Sequence, residues 1–392
     1  MVLIPDKNLL SLLILAGGKS SRMGCDKSKL PWRGTTSLTS LLQRSIVFPF
    51  KNTIISINRE LDLSDLPGTV VATTGKRRES DIEYTWTLPD GTKRTVFVVA
   101  DTFTERGPLG GMEAAMHMHK TTKWLVLSVD LPFYDFSAVN RLLSAHMTKD
   151  ADAVIPLVNG KEEPLSAIYS GHIYKKILTA LAAGNYRVRH IYADKKVVYI
   201  DESAHARQYV NMNTPVAYKE ALAYDTNSMR KVPLFSICAA SSGAGKTRLI
   251  TALIGQLTRE GYSVGYVKST HHRIYGNKEG SDTDLAKKAG AKETRIVPSV
   301  DSKAADKRNL LAAAAEEMDV DVVFIETRDH AVFPTIRILG STEIIPARHN
   351  AKQILAVISR QFPEKCDYIR RFEVNNIQPL YKYIKRFMHV RH

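Results

Sequence analysis

Two apolar runs, each ending in a glycine-rich loop, constrain this chain more than any other feature. The first, Leu9–Leu15, is broken only by Ser11. It stops at Gly17-Gly18, inside the string LILAGGKSSRMGCDKSKL that ends at Leu30. The second, Leu234–Ala239, passes into Ala240–Thr247 (ASSGAGKT) and then into helical spacing over Arg248–Leu257. A continuous apolar run is the pattern of a parallel strand buried on both faces. A glycine pair behind it permits a sharp turn and close backbone approach. Backbone N–H groups in such a turn, with the start of the next helix, form an anion site. Arg22 and Lys27 add full positive charges to the first loop. The second has strand, glycine loop and helix in the order a P-loop requires, with Lys246 and Thr247 at its end. The chain therefore reads as two α/β halves with two phosphate loops of different kinds.

The first half alternates strand-like and helix-like patches. Thr35–Val47 has helical spacing; Thr53–Ile57 and Val96–Val99 read as strands; Gly110–Lys120 reads as a helix. Trp124–Val129 is a strand ending in Asp130, and Ala153–Pro156 is another. Such alternation argues a parallel sheet with crossover helices. Ligands in these sheets bind beyond the carboxyl ends of the strands, and Gly17, Asn58, Asp101 and Asp130 all fall at such ends. The stretch from Thr73 to Arg94 interrupts the rhythm and reads as an inserted hairpin turning at Pro89-Asp90-Gly91. A polar segment within Asp225–Val232 reads as a linker. At 392 residues the chain is too long for one typical domain. The expected boundaries are 1–225 for the first domain, with the hairpin at about 73–94, then a linker 226–232. A second domain spans 233–362, followed by a basic aromatic tail 363–392 read as an arm that folds onto a domain or a partner.

The formal charge of +15 admits nucleic acid, membrane surface or small polyanions as partners. No dense Lys/Arg block with interleaved aromatics occurs in the first 360 residues, so nucleic acid is not expected and phosphorylated substrates are. Cys25, Cys238 and Cys366 are far apart, form no zinc spacing and suggest no disulfide framework. That usage fits a reducing compartment, and a cytoplasmic location is expected. No run reaches the ~18 apolar residues of a membrane span. Leu9–Ala16 reads as a first strand rather than a leader, because Gly-Gly-Lys follows it where a cleavage site would stand.

From Leu15 to Leu30 the string matches the pattern LAGGxSxRMGxDKxxL at every fixed position. In this it resembles the molybdenum cofactor guanylyltransferases, the MobA family. The resemblance implies transfer of GMP from GTP to molybdopterin, giving molybdopterin guanine dinucleotide and pyrophosphate. It implies Leu15, Ala16, Gly17, Gly18, Lys27, Asn58 and Asp101 at the nucleotide, and Lys27, Arg22 and Asp130 as catalytic groups. Asp130, in LSVDLPF, stands where the family has a metal-binding aspartate, with Val129 in place of the usual Cys, and Mg²⁺ is the metal implied. Asp101 precedes the GPLxG-like string Gly107–Gly111; Asn58 and Arg59 match SxNR; Glu163-Pro164-Leu165 resembles the family's PL segment. Asn213, in the NxNTP string, is implied on the molybdopterin side. The chemistry needs no general base, because the attacking phosphate monoester is already anionic. Its obstacle is the meeting of two polyanions, which positioning and positive charge overcome.

The second half resembles the MobB family, GTP-binding adaptor partners of the guanylyltransferases. Ser242, Gly243, Ala244, Gly245, Lys246 and Thr247 would cradle a nucleotide, with Ala240 where the common consensus has its first Gly. Lys268 to His272 resembles KxTHH, and Gly280-Ser281-Asp282-Thr283 with Ala289-Gly290-Ala291 resembles a second family string. DVVFIE, ending at Glu326, resembles the family's strand with its terminal glutamate; Thr247 and Glu326 are the metal candidates. Thr327-Arg328-Asp329 replaces the usual Gly-aromatic-Lys, and no catalytic base is evident for GTP hydrolysis. The resemblance further implies molybdoenzyme apo-proteins as partners and a homodimer through the P-loop domain. The expected fold is α/β with two doubly wound domains, an N-terminal Rossmann-like nucleotidyltransferase domain and a C-terminal P-loop NTPase domain. Fusion replaces a bimolecular encounter with a high effective concentration. Three other readings stay open: a molybdopterin cytidylyltransferase, a catalytically silent GTP-binding scaffold that delivers molybdopterin to oxidoreductases, and a sugar-1-phosphate nucleotidyltransferase.

Overall fold

The computed structural model describes residues 10–18, 22–73, 81–103, 105–270, 279–298, 304–328, 330–340, 343–347, 353–360 and 366–388. The chain divides into two units, Met1–Asn213 and Thr214–His392. No helix among the described residues is long and apolar enough to cross a membrane.

The first unit runs β1 (Leu10–Leu15), β2 (Pro31–Trp32), β3 (Thr35–Thr36), α1 (Ser37–Ser45), β4 (Thr53–Ser56), β5 (Thr69–Thr73), β6 (Ile82–Thr87), β7 (Lys93–Val99) and α2 (Pro108–Met118). It continues with β8 (Lys123–Ser128), α3 (Ser137–Lys149), β9 (Ala153–Val158), β10 (Lys161–Glu162), β11 (Ser166–Ser170), α4 (Tyr174–Ala182) and β12 (Val197–Asp201). The main sheet has the order β10-β9-β11-β8-β1-β4-β7-β6-β5, with β12 beside β9. Strand β1 lies at its centre, parallel to β4 on one side and β8 on the other, so that Leu13 faces both Ile54 and Val126.

That central place explains the apolar run. Leu10, Leu12 and Ile14 pack into one core with Leu38, Leu41 and Leu42 of α1 and Val139 and Leu142 of α3. Leu13 and Leu15 point the other way, into a second core with Leu109 and Met112 of α2 and Ile177 of α4. Successive side chains alternate faces, so a strand covered by helices on both sides must be apolar at almost every position. From β7 the chain crosses back over β1 to β8. The strand order therefore reverses beside β1, and the crevice at such a point is where open α/β sheets bind ligands.

One expectation needs correction here. The sheet is mixed: β11 runs antiparallel to β8 and β9, and β6 antiparallel to β5 and β7. A hairpin of β6 and β7 turns between Leu88 and Thr92, and it is built into the sheet. Its second strand, β7, continues into the sheet and pairs with β4 in parallel, while β5 and β6 extend that edge. Residues 74–80 of the insertion lie outside the described residues.

The second unit begins with α5 (Pro215–Ser228), followed by β13 (Leu234–Cys238), α6 (Lys246–Arg259), β14 (Val264–Thr270), α7 (Asp282–Lys288), β15 (Glu293–Pro298) and α8 (Ala304–Glu316). It closes with β16 (Val322–Thr327), β17 (Thr335–Ile338), β18 (Ile354–Ser359), β19 (Arg370–Glu373) and α9 (Gln378–Lys385). Its sheet has the order β15-β14-β16-β13-β17-β18-β19, and every described pairing is parallel. Helices α5, α6 and α9 contribute Ala223, Leu253 and Ile384 to the core on one face. Helix α8 contributes Leu311 and Ala315 to the core on the other.

The boundary expected at 225 falls inside α5, and part of the expected linker is helix. Thr214 caps α5 by accepting from the Ala217 amide at 3.1 Å, and Pro215 occupies its first turn. Its last turn looks like a linker because it carries polar residues that are buried. Asn227 is fully buried; its Oδ1 accepts from the Leu234 amide at 3.3 Å and its Nδ2 donates to the Phe387 carbonyl at 3.4 Å. The expected tail is likewise part of the second unit. Strand β19 pairs with β18, and Leu380, Tyr381, Tyr383, Ile384 and Phe387 are buried in the core. Arg370 of β19 and Glu220 of α5 lie 2.8 Å apart. The segments that flank the P-loop domain in sequence thus hold each other in space.

Candidate active site

A cavity of about 850 Å³ opens at the carboxyl ends of β1, β4, β7 and β8. Its wall includes Leu15, Gly17, Gly18, Lys27, Asn58, Asp101, Asp130 and Asn213, residues that the sequence spreads over some two hundred positions. Gly18 has φ +123°, a conformation open to glycine and strained for other residues. Helix α2 comes close behind the loop: a Cβ on Gly111 would lie 2.7 Å from Leu15 Cδ2, so that position of the GPLGG string must be bare.

On one side of the cavity Asp101 is held from three directions. The Ser56 hydroxyl donates to its Oδ1 at 2.5 Å, Asn58 Nδ2 donates to its Oδ2 at 3.2 Å, and its own amide donates to Asn58 Oδ1 at 2.7 Å. Across the cavity Lys27 Nζ donates to Asp130 Oδ2 at 2.9 Å and also contacts Asn213 Oδ1. The Ser128 hydroxyl donates to Asp130 Oδ1 at 2.6 Å, and the Met212 amide donates to the Asp130 carbonyl at 2.9 Å. Asn213 Nδ2 donates to Asn211 Oδ1 at 2.6 Å. Asp130 is 4% exposed, so its charge requires the partner that Lys27 supplies. Glu163 lines the wall as well. Burial pushes its carboxyl up, and the negative charge of Asp130 pushes it the same way.

Two expected residues are not on the cavity wall. Arg22 is exposed on the loop and is absent from the cavity wall. Ala16 is also off the wall, and its carbonyl is occupied by Arg59 at 3.2 Å. Several residues of the site carry no mark in the sequence. Ser56 and Ser128 are the last residues of β4 and β8, and a lone serine at a strand end has no periodicity to reveal it. Asn211 could have been found, since it is the first asparagine of the NxNTP string.

In the second unit the loop between β13 and α6 presents Lys246 and Thr247. Thr247 Oγ1 lies 2.9 Å from Asp282 Oδ1 and 3.0 Å from Glu326 Oε2. The Tyr266 hydroxyl donates to Glu326 Oε2 at 2.8 Å. Burial, reinforced by the Glu326 charge, drives the Tyr266 phenol far up, so it remains a donor. Lys268 pairs with Asp282. Lys246 Nζ donates to the Ser241 carbonyl at 3.2 Å, and Arg328 Nε donates to the Ala240 carbonyl at 3.2 Å. Glu326 thus stands beside Thr247, and Arg328 brings a cation against the loop. Ser242, Gly243, Ala244 and Gly245 complete the loop. His271, His272 and Asp329 lie outside the described residues.

Both sites suit Mg²⁺ by donor type. This ion takes hard oxygen ligands, commonly one or two carboxylates with the remainder from phosphate and water. Asp130 in the first unit offers one carboxylate, and Thr247 with Glu326 offers a hydroxyl and a carboxylate in the second. No group of three or more His, Cys, Asp or Glu suited to an all-protein metal cage occurs among the described residues.

Comparison with known proteins gives the family of each unit. The family model of the MobA-like NTP transferase domain matches residues 12–198, and that of molybdopterin guanine dinucleotide synthesis protein B matches residues 234–360. A protein named probable molybdenum cofactor guanylyltransferase from Carboxydothermus hydrogenoformans is 30% identical over 220 residues, covering 54% of this chain and 95% of its own. A protein of the same name from Bacillus cereus strain AH187 is 26% identical over 214 residues, covering 53% of this chain and 94% of its own. The crystal structure of molybdopterin-guanine dinucleotide biosynthesis protein A from Archaeoglobus fulgidus is similar at 21% identity and a TM-score of 0.41, over 54% of this chain and 96% of that one. The chain belongs to the MobA-like NTP transferase family, as a nucleotidyltransferase joined in one polypeptide to a MobB domain.

Proposed function

We propose that the first unit transfers GMP from GTP to the terminal phosphate of molybdopterin. The products are molybdopterin guanine dinucleotide and pyrophosphate. The observation that carries this reading is the convergence of Lys27, Asp130 and Asn213 on one wall of the cavity, opposite Asp101 and Asn58. One wall suits the triphosphate and the incoming phosphate, and the other suits the nucleoside.

An oxygen of the acceptor phosphate attacks the α-phosphorus of GTP. The bond from that phosphorus to the oxygen bridging to the β-phosphorus breaks, and its electron pair leaves with pyrophosphate. No proton need be removed from the nucleophile. Gly17 and Gly18 line the cavity, and backbone N–H groups of such a glycine turn suit phosphate oxygens. Lys27 places a positive charge where negative charge gathers in the transition state, and Asp130 and Asn213 fix its direction. Asp130 would hold a Mg²⁺ ion, which would supply further neutralisation of the phosphate oxygens. Asn211 and Asn213 offer amide groups to the acceptor.

The second unit, in this reading, is an accessory GTP site of the P-loop kind, and the finished cofactor passes to molybdoenzyme apo-proteins. Two separate GTP sites give a direct test by titration calorimetry on the full chain with Mg²⁺ and GTP. Two GTP per chain are expected. Lys246→Ala should remove one of them, and Lys27→Ala should weaken the other by about tenfold or more, the value of one charge-assisted hydrogen bond. A single site that disappears with Lys246→Ala alone would contradict GTP as the donor in the first unit.

A further inference from the structure

We infer that Asp26 and Arg59 form a latch that sets the position of Lys27 for transfer, an inference that rests on the reading of the cavity as a guanylyltransferase site. Asp26 caps the 3-10 turn Lys27–Lys29, so it is the residue from which Lys27 departs. Its Oδ1 accepts from the Ser28 amide at 2.9 Å, from the Ser28 hydroxyl at 2.7 Å and from Arg59 Nη2 at 2.6 Å. Arg59 comes from the segment after β4, the strand beside β1. The same Nη2 donates to the Ala16 carbonyl at 3.2 Å, just past the end of β1. One guanidinium nitrogen thus ties the residue where the loop leaves the sheet to the residue where the loop delivers its lysine.

The consequence for Lys27 is geometric. Its ammonium must reach Asp130 and Asn213, which lie 103 and 186 residues away in sequence. Its backbone is fixed on the loop side by the Asp26 cap. Release of Asp26 frees the turn to rotate and lets the ammonium drift from Asp130. A misplacement of about 1 Å at a reacting centre can cost on the order of a hundredfold in rate. Both latch residues act through Lys27 and are positioning residues. Arg59 also lies on the cavity wall, so the rival reading is direct contact with the triphosphate.

The test uses the full chain as wild type, Arg59→Ala, Arg59→Lys, Asp26→Asn and the Arg59→Ala/Asp26→Asn double variant. Dinucleotide formation and thermal unfolding are measured on each. Each of the two disrupting single substitutions should lower kcat by about ten- to a hundredfold, with the unfolding transition in place and with partial rescue by Arg59→Lys. The double variant should be no worse than the poorer single one, because both break the same link. A second readout is independent of turnover: the rate at which a small active ester acylates the Lys27 amine, read by peptide mass spectrometry. It should rise in both single variants as the amine leaves Asp130. Losses that multiply in the double variant, or Lys27 labelling at the wild-type rate, would overturn the latch in favour of direct triphosphate contact. Wild-type protein that transfers no nucleotide would overturn the guanylyltransferase reading instead, and the labelling rates would still decide the latch.

Discussion

Lys27→Ala should lower nucleotide transfer by about a hundred- to a thousandfold, the usual cost of removing one donor aimed at transition-state charge. The ammonium does two things in this structure. It neutralises Asp130, which is almost fully buried, and it stands between the carboxylate and the asparagine that face the acceptor. Removal leaves Asp130 without its ion-pair partner at a cost of about 1–3 kcal/mol, so a small fall in the unfolding midpoint should accompany the loss. Lys27→Arg separates charge from geometry. A guanidinium keeps the charge but not the point-like reach of an ammonium, so it should recover only part of the rate. Pyrophosphate release under saturating substrates is the measurement. Wild-type turnover by Lys27→Ala would remove the central residue of this account.

The second large effect concerns residues 363–392. A chain that stops after residue 362 should lose the cooperative unfolding of its second unit. Strand β19 would be gone from the edge of β18, and five large side chains would leave the core: Leu380, Tyr381, Tyr383, Ile384 and Phe387. Each fully buried side chain of this kind contributes about 1.5–3 kcal/mol, so the loss is on the order of 10 kcal/mol. A domain of this size has about 5–15 kcal/mol in all. Helix α5 would lose support too, since Lys219 donates to the Tyr368 carbonyl at 3.0 Å and Glu220 pairs with Arg370. Limited proteolysis should then leave a fragment close to residues 1–213. An intact second transition in the shortened chain would mean that the second unit folds without these residues.

That segment shows why parts of this molecule are legible in sequence and others are not. Central strands announce themselves because both faces are buried, as in β1, where apolar residues fill nearly every position and a glycine loop follows. Strand ends bearing Asn58, Asp101 and Asp130 could be read for the same reason: the apolar run stops and a polar residue follows. The contents of α5 are opaque because Asp225 and Asn227 are buried, and a buried polar residue with its partners satisfied looks like solvent-exposed linker in a list of residues. The tail is opaque in the opposite way. Among its described residues Arg370 and Arg386 pair with Glu220 and Lys385 with Glu260, while Tyr381, Tyr383 and Phe387 fill the core. Arg22 and Arg59 illustrate a third limit. Sequence marks both as cations near a phosphate loop, and only the fold shows that Arg59 lines the cavity and pairs with Asp26 while Arg22 lies off its wall.

The most direct measurement of the central claim is nucleotide transfer by the purified full chain with molybdopterin, Mg²⁺ and each of GTP, CTP and ATP, read as pyrophosphate and dinucleotide product. The account predicts product from GTP alone, retained with Lys246→Ala and lost with Asp130→Ala. Product from CTP instead would make the protein a cytidylyltransferase. Tight GTP binding with no transfer to molybdopterin would contradict the enzyme and leave a GTP-binding scaffold.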